Sequence, residues 1–197
     1  TYVDNMKEIW DLYINNTFTV KPSSLTGVTM DSSRGEFTGK KAVFYQNGTW
    51  EYGQIKTVLK DEEIGFLPIY MGINDERQGL CSGTENIWAV NKEANSKDIE
   101  ETIKFLEWVV TSEAGLKTLA VDMGYVAPFK KAIKTDNVLY DYIDKANELG
   151  KTNINWLFTY TPNTEAWRNG VVDSLALYSA NPTNESWNKV RSSIVDG

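Results

Sequence analysis

Trp50 stands at a point in the chain where an aromatic ring could bind a ligand. The run Ala42–Tyr45 before it consists of apolar, β-forming residue types and predicts a buried strand. Asn47 and Gly48 both tolerate positive φ and predict a sharp turn, after which Thr49 could cap a helix. Ligands in open α/β sheets bind beyond the carboxyl ends of strands, and the C–H-rich face of a sugar lies well on an aromatic ring. The segment therefore predicts a ligand site, and burial of Trp50 in the core is the alternative.

Polar side chains at a second turn could complete such a site. Glu85 and Asn86 precede the apolar run Ile87–Val90, which predicts another buried strand. Between them, these two side chains can accept hydrogen bonds from sugar hydroxyls and donate to them. Gly83 permits close approach of a neighbouring backbone, and Asn47 belongs to the first turn. The predicted ligand residues at the two turns are thus Asn47, Trp50, Gly83, Glu85 and Asn86, although an ordinary polar turn explains Glu85 and Asn86 equally well.

The composition excludes most catalytic constellations within this chain. It contains no histidine and a single cysteine, Cys81, so a Ser-His-Asp triad, a Cys-His dyad, an internal disulfide and a thiolate or histidine zinc site cannot form. Carboxylate chemistry remains, and it requires two acids that flank one cleft. Glu51, Glu85 and Glu165 are the acids nearest the predicted site, and they follow no recognisable catalytic pattern. We therefore expect a binding protein without cofactor or metal, with a carbohydrate-active enzyme fragment as the alternative.

The charge of the chain narrows the class of partner. The 197 residues carry a formal net charge of −7 and no cluster of lysine and arginine, which argues against a nucleic-acid surface. Hydrophobic residues make up 41% and charged residues 24%, which is typical of globular domains. No stretch approaches the ~20 consecutive apolar residues that a membrane-spanning helix needs.

Amphipathic periodicity predicts the helices that would position these residues. The predicted helices cover residues 2–16, about 50–60, a segment from Ser96, a segment from Ser112 to Gly124, and residues 137–149, about 162–178 and 184–194. The segment from Ser96 should bury Ile99, Ile103, Leu106 and Val110.

Other segments predict loops, strands and core. Residues 17–35 are rich in Ser, Thr, Gly and Pro and predict a long loop. Residues 64–67 predict a third short strand, and residues 151–163 hold alternating aromatic side chains that suit either a strand or a ligand wall. Four tryptophans are predicted to be core: Trp10, Trp88, Trp108 and Trp187.

Three segments carry a family resemblance in colinear order. Residues 36–53 resemble the "GKAAM…NGPW" segment of extracellular solute-binding proteins of ABC transporters, in the maltose-binding-protein-like group known as family 1. Residues 83–94 (GTENIWAVNKEA) and 105–128 (FLEWVVTSEAGLKTLAVDMGYVAP) resemble the strand and helix that follow there. Residues 162–180 resemble a late aromatic-bearing helix, and Thr49 replaces the proline usual before the tryptophan.

The resemblance implies a fold and a site. The fold would be α/β and helix-rich, the C-terminal half of a periplasmic-binding-protein-like (type II) two-lobe fold. Residues 1–66 and 131–197 would share the C-terminal lobe, and 67–130 would hold the hinge crossing and part of the N-terminal lobe. Trp167 falls where the family has a sugar-stacking aromatic, which makes it a second predicted platform beside Trp50.

The resemblance also implies a function and its partners. Such proteins capture a solute, here a carbohydrate, between two lobes and deliver it to ABC permease subunits in the membrane. They are extracellular, either periplasmic or attached to the cell surface as lipoproteins in Gram-positive bacteria. Because the resemblance covers one half of the family's length, we also expect exposed sheet edges and association or swapping between chains.

Overall fold

The computed structural model describes residues 2–16, 19–69, 76–83, 87–125 and 129–197. The chain divides into two compact units, each assembled from separate stretches of sequence. The first unit comprises Thr1–Gln46, Pro68–Gly83 and Lys151–Gly197, and the second comprises Asn47–Leu67 and Thr84–Gly150.

Helices dominate both units, so the described chain is helix-rich α/β with a small sheet. The α-helices are α1 (Tyr2–Trp10), α2 (Met30–Thr38), α3 (Tyr52–Ile55), α4 (Ser96–Thr111), α5 (Glu113–Lys117), α6 (Val138–Glu148), α7 (Thr164–Ala180) and α8 (Asn184–Val195). Two π-helical stretches extend α1 and α5, at Asp11–Asn15 and Thr118–Asp122. Short 3₁₀ turns occur at Pro22–Gly27, Thr49–Glu51, Asp61–Glu63 and Phe158–Tyr160.

The core of the first unit lies between α7 and α8. It consists of Val171, Leu175, Tyr178, Trp187 and Val190, and part of α1 packs against it. The rings of Tyr178 and Trp187 meet edge to face, with centroids 5.1 Å apart, which is a favourable aromatic geometry. The prediction that Trp187 is core is confirmed, and Trp10 is partly buried against the same cluster.

Polar contacts fix the end of α1 onto α7. The Tyr178 hydroxyl donates to both carboxylate oxygens of Asp11, at 2.8 and 3.0 Å, and the Trp10 indole N–H donates to Ser179 Oγ at 2.7 Å. Burial raises the pKa of Asp11, but hydrogen bonds from Lys7, Tyr178 and Asn15 outweigh it and hold the pKa below its ordinary value. Asp11 therefore stays ionised and keeps accepting these bonds at neutral pH.

The sheet of the described chain has two parallel strands, both in the first unit. They are β1 (Gln78–Ser82) and β2 (Thr152–Asn155), with Cys81 opposite Ile154 and a register irregularity before it. Gly79 and Gly83 make the close approach possible, because a Cβ at Gly83 would lie 2.9 Å from Trp156 Cβ. The prediction that Gly83 permits close backbone approach is confirmed, with Trp156 as the neighbour.

Local caps account for the boundaries in the second unit. Asn95 Oδ1 accepts from Asp98 N at 2.9 Å and begins α4, so the cap is one residue earlier than the predicted Ser96. Ser112 caps α5 as predicted, by accepting from Gly115 N at 3.0 Å. Gly124 and Gly150 adopt φ of 68° and 67°, the left-handed conformation expected where a helix ends.

The three predicted strands at residues 42–46, 64–67 and 87–90 are wrong, since none of these segments is a strand. Val43 and Phe44 are 82% and 73% exposed, so the apolar run before Trp50 is not buried. A strand needs a partner to satisfy its backbone groups, and an apolar run does not provide one. The sheet forms instead at residues 78–82 and 152–155.

Two further corrections concern helices. The predicted loop 17–35 contains the beginning of α2, whose first turn is held by a capping box between Thr29 and Ser32. The predicted helix 50–60 is short, with α3 ending at Ile55. No residue of α4 is buried, so its predicted core stripe is wrong, and Trp88 and Trp108, also predicted to be core, are about half exposed.

Candidate functional site

Trp50 projects from the 3₁₀ turn Thr49–Glu51 with 51% of its surface exposed. Its ring lies against Gly48, where an added Cβ would come within 2.3 Å of the six-membered ring. A side chain at this position would push the ring aside, so Gly48 leaves the tryptophan ring where it lies. The predicted sharp turn at Asn47 and Gly48 is wrong, because Gly48 is extended, with φ of −123° and ψ of 177°, and Asn47 has no positive φ. Asn47 Oδ1 accepts from Gly48 N at 2.9 Å, so this side chain is engaged by the backbone that leads into the 3₁₀ turn.

Trp50 lines a cavity of about 400 Å³ within the second unit. Three short segments of backbone form its walls: residues 49–56, residues 120–124 and residues 134–137. The polar lining residues are Thr49, Tyr52, Gln54, Lys56, Asp122, Lys134, Thr135, Asp136 and Asn137. An aromatic ring beside converging amides, hydroxyls and carboxylates is the kind of lining that fixes a small hydroxylated ligand in one orientation.

Tyr52 and Asn137 hold two walls of this cavity together. The Tyr52 hydroxyl lies 2.9 Å from Asp61 Oδ1 and 3.2 Å from the backbone oxygen of Asp136, as a donor to both. The buried Asn137 side chain accepts from Leu139 N at 2.9 Å and so begins α6. The hydrogen bonds of Tyr52 and Asn137 thereby hold in place the wall formed by α3 and the wall that precedes α6.

The two lysines of the cavity are already engaged. Lys134 Nζ lies 2.6 Å from Asp144 Oδ2 and 3.7 Å from Asp141 Oδ1. Lys56 Nζ lies 5.2 Å from the centroid of the Tyr52 ring, a cation–π distance. The contact with Tyr52, followed by the fields of Asp61 and Asp136, raises the pKa of Lys56, and Asp144 does the same for Lys134.

The other predicted ligand residues lie elsewhere or outside the described residues. Glu85 and Asn86 lie outside the part of the chain that the structure describes. Gly83 directly follows β1 in the first unit. Among the predicted residues that the structure describes, Trp50 alone lines the cavity.

Trp167 packs within the first unit and does not line the Trp50 cavity. It lies in α7 of the first unit, where its indole N–H donates to the backbone oxygen of Ile194 at 3.2 Å. The ring is partly buried against the core cluster between α7 and α8. Packing and this hydrogen bond are therefore enough to explain why an aromatic residue stands at this position.

The structure describes two of the three acids weighed for catalysis. Glu51 is buried, and Glu165 is an exposed partner of Arg168 at 2.9 Å in the other unit. Over the described ranges, no group of three or more Cys, Asp or Glu side chains is arranged to hold a metal ion.

A larger groove in the second unit was missed by the sequence reasoning. It measures about 820 Å³, and its lining includes Trp88, Phe105, Trp108, Met123 and Tyr125. Phe105 and Trp108 stack with centroids 6.0 Å apart. The available signal was their spacing of three residues, which places both on a second side of α4, away from the predicted stripe. We call this surface the aromatic groove.

Comparison with known proteins agrees with a ligand-binding role. The family described as bacterial extracellular solute-binding protein matches residues 2–146. The chain belongs to this family of bacterial extracellular solute-binding proteins. No solved structure matches the chain. Within the described residues, every helix is too short or too polar to cross a membrane.

Proposed function

We propose that this chain binds a carbohydrate against Trp50, as the solute-binding component of an ABC importer. The observation that carries the proposal is the half-exposed Trp50 ring at the wall of a cavity of about 400 Å³. Membership of the solute-binding family supports binding of a solute as the function. The aromatic ring beside polar side chains supports a sugar as that solute. The proposal includes membership of the maltose-binding-protein-like group.

The proposed mechanism is capture by closure and delivery to the permease subunits outside the cytoplasm. In a type II two-lobe fold, a hinge motion closes two lobes around the ligand. The predicted lobes, residues 1–66 with 131–197 and residues 67–130, remain a prediction, and the compact units of the structure divide the chain at other residues. Glu85 and Asn86 remain proposed readers of hydroxyl groups, with Gly83, Asn47 and Trp167 as further proposed ligand residues.

A saccharide panel screened by thermal shift and followed by calorimetric titration tests this function. At least one saccharide should bind saturably, and Trp50→Ala should weaken it by about 1–3 kcal/mol, as truncation of an aromatic anchor does. Trp108→Ala is the matched control, since Trp108 is 50% exposed and lines the aromatic groove. Equal loss of affinity in both variants, or none in Trp50→Ala, would refute the assignment of the site to Trp50.

The same titrations separate binding from hydrolysis. A binding protein returns its saccharide unchanged, so chromatography of the mixture after long incubation should show the starting sugar alone. Release of shorter sugars or of a reducing end that Glu51→Gln abolishes would favour the carbohydrate-active enzyme instead.

A further inference from the structure

Asn137 is the buried polar residue of the Trp50 cavity. The residue is 6% exposed, and of the three buried polar or charged residues in the described chain, Glu51, Asn137 and Ser179, it alone lines this cavity. It lies on the wall that precedes α6, whereas Trp50 lies on the wall formed by residues 49–56. A ligand between these two walls could therefore contact both side chains.

The side-chain amide of Asn137 has one fixed orientation. Its Oδ1 accepts from Leu139 N at 2.9 Å and caps α6. Only the oxygen of an amide accepts a hydrogen bond, so this contact distinguishes Oδ1 from Nδ2. The Asn137 backbone N–H contacts Thr135 Oγ1 at 3.4 Å. Rotation of the amide would remove the cap of α6, so Nδ2 keeps its direction whether or not a ligand is bound.

The Nδ2 group of Asn137 has no hydrogen-bond acceptor among the residues that the structure describes. Two side-chain atoms in those residues are fully enclosed without a partner, Asn15 Oδ1 and Trp187 Nε1, and Asn137 Nδ2 is not one of them. The amide therefore keeps a small open surface, and the cavity is the open space that this buried residue borders. A largely buried donor without an acceptor costs free energy, so an acceptor in the cavity would stabilise a complex.

The lysines of the lining are less suited to the role of a fixed donor. Lys134 Nζ lies 2.6 Å from Asp144 Oδ2, Lys56 lies over the Tyr52 ring, and both lysines are exposed. A long exposed side chain loses conformational entropy when it binds a ligand, whereas the Asn137 amide is already ordered by its cap. Asn137 is thus a preorganised neutral donor.

We propose that Asn137 Nδ2 donates a hydrogen bond to a hydroxyl or ring oxygen of the saccharide that lies against Trp50. This inference rests on the function proposed above and adds a specificity-determining residue to it. An aromatic ring accepts the C–H face of many sugars, whereas a fixed donor requires an oxygen at one place. Asn137 therefore selects among saccharides by the position of an acceptor oxygen and rejects those that present an apolar group there.

Two substitutions of Asn137 keep the cap of α6 and remove the amide donor. Asn137→Asp retains an oxygen that can accept from Leu139 N, and Asn137→Ser caps with a shorter, uncharged side chain. In calorimetric titrations with maltose, cellobiose, xylobiose and mannobiose, each variant should bind at least about fivefold more weakly than the wild type to any of these that the wild type binds. Thermal unfolding without saccharide checks that α6 is intact. Asn184→Asp is the matched control, because it makes the same change at the exposed first residue of α8, outside the cavity lining, and should leave the affinity unchanged.

The NMR signal of the Asn137 side-chain NH₂ group separates contact with the saccharide from support of α6. Its absence in Asn137→Asp assigns this signal in ¹⁵N-labelled protein. On titration with the disaccharide that binds, the Asn137 signal should shift saturably. The side-chain signal of Asn95, which caps α4 outside the cavity lining, should stay in place.

The outcomes separate this inference from the proposed function. Unchanged affinity in both Asn137 variants, or a loss of affinity without a shift of the wild-type Asn137 signal, overturns the inference while saccharide binding stands. Failure of all four disaccharides and of the wider saccharide panel to bind overturns the proposed function, and the inference falls with it. If both variants unfold, the Asn137 signal of the wild-type protein decides alone.

Discussion

At the residue scale, the position of the Trp50 ring depends on the residues directly before it, and no buried strand precedes it. Gly48 makes room for its ring, and Asn47 Oδ1 accepts from the Gly48 N–H. Sequence reasoning expected a sharp Asn-Gly turn before the ring, whereas the backbone at Gly48 is extended and a 3₁₀ turn begins at Thr49. It assigned Asn47 to the ligand, whereas the observed hydrogen bond serves the backbone. The role of Trp50 as a ligand platform stays a prediction.

Trp167 shows the opposite outcome at the same scale. Its position was transferred from a resemblance, and its indole N–H bonds to Ile194 while the ring packs on the first unit's core. Neither contact could be read from the sequence, because both depend on how α7 and α8 pack. Its role as a sugar platform stays a prediction.

Tyr52 provides a residue-scale prediction. Tyr52→Phe removes a hydroxyl that contacts Asp61 and the backbone of Asp136, and we expect a loss of about 1 kcal/mol in the free energy of unfolding. Because this hydroxyl joins two walls of the cavity, saccharide affinity should fall as well. Chemical denaturation and calorimetry measure the two effects.

Tyr142→Phe is the control for this change. Tyr142 lies in α6 of the same unit and is partly buried, and its hydroxyl has no hydrogen bond to the described residues. Its loss should leave stability nearly unchanged. Equal effects of the two substitutions would show that the Tyr52 contacts do not hold the cavity walls.

At the element scale, helices could be predicted and strands could not. α1, α6 and α8 were recognisable because an amphipathic stripe and its caps lie within one segment. α2 was missed because Gly35 and the serines suggested a loop, although the Thr29–Ser32 capping box marked its beginning. Strand pairing joins residues 78–82 to residues 152–155, a long-range choice that no local pattern specifies.

The junction of α4 and α5 gives an element-scale prediction. A Cβ at Gly115 would lie 2.3 Å from the backbone oxygen of Val109, so Gly115→Ala must move backbone. We expect a loss of about 1–3 kcal/mol, as overpacking typically causes. The thermal midpoint, followed by circular dichroism, should fall by several degrees.

Gly170→Ala is the matched control inside α7. No heavy atom lies within 4 Å of an added Cβ there, and alanine is the better helix former. This variant should be about 0.5–1 kcal/mol more stable than the wild type. A Gly115→Ala protein as stable as the wild type would mean that the α4–α5 approach is looser than described.

At the scale of the whole molecule, the aromatic groove exposes large apolar side chains to water, which is unfavourable for an isolated chain. Exposed apolar surface of this kind marks an interaction site or an association risk. The sequence predicted the same behaviour from sheet edges, whereas the structure places the exposed surface on α4 and the segment Ile87–Val90. Trp88 and Trp108 were predicted to be core because most tryptophans in proteins are largely buried.

We predict that the groove drives association of the purified chain. Light scattering after size exclusion should give a mass that rises with protein concentration, and Trp108→Glu should shift it toward the monomer. Leu177→Glu is the control, since Leu177 is exposed on α7 outside the groove lining. A wild-type chain that stays monomeric at all concentrations, with no binding of a hydrophobic dye, would contradict this.

Labelling with 5-fluorotryptophan tests the central claim most directly, because each of the seven tryptophans gives its own ¹⁹F resonance. Trp50→Phe, Trp167→Phe and Trp187→Phe assign the three signals of interest. On addition of the saccharide that binds most tightly, the Trp50 signal should shift saturably, while the signal of Trp187 in the first unit's core stays in place. A Trp50 signal that is unchanged at saturating ligand, with calorimetric binding intact, would place the carbohydrate elsewhere and contradict the account.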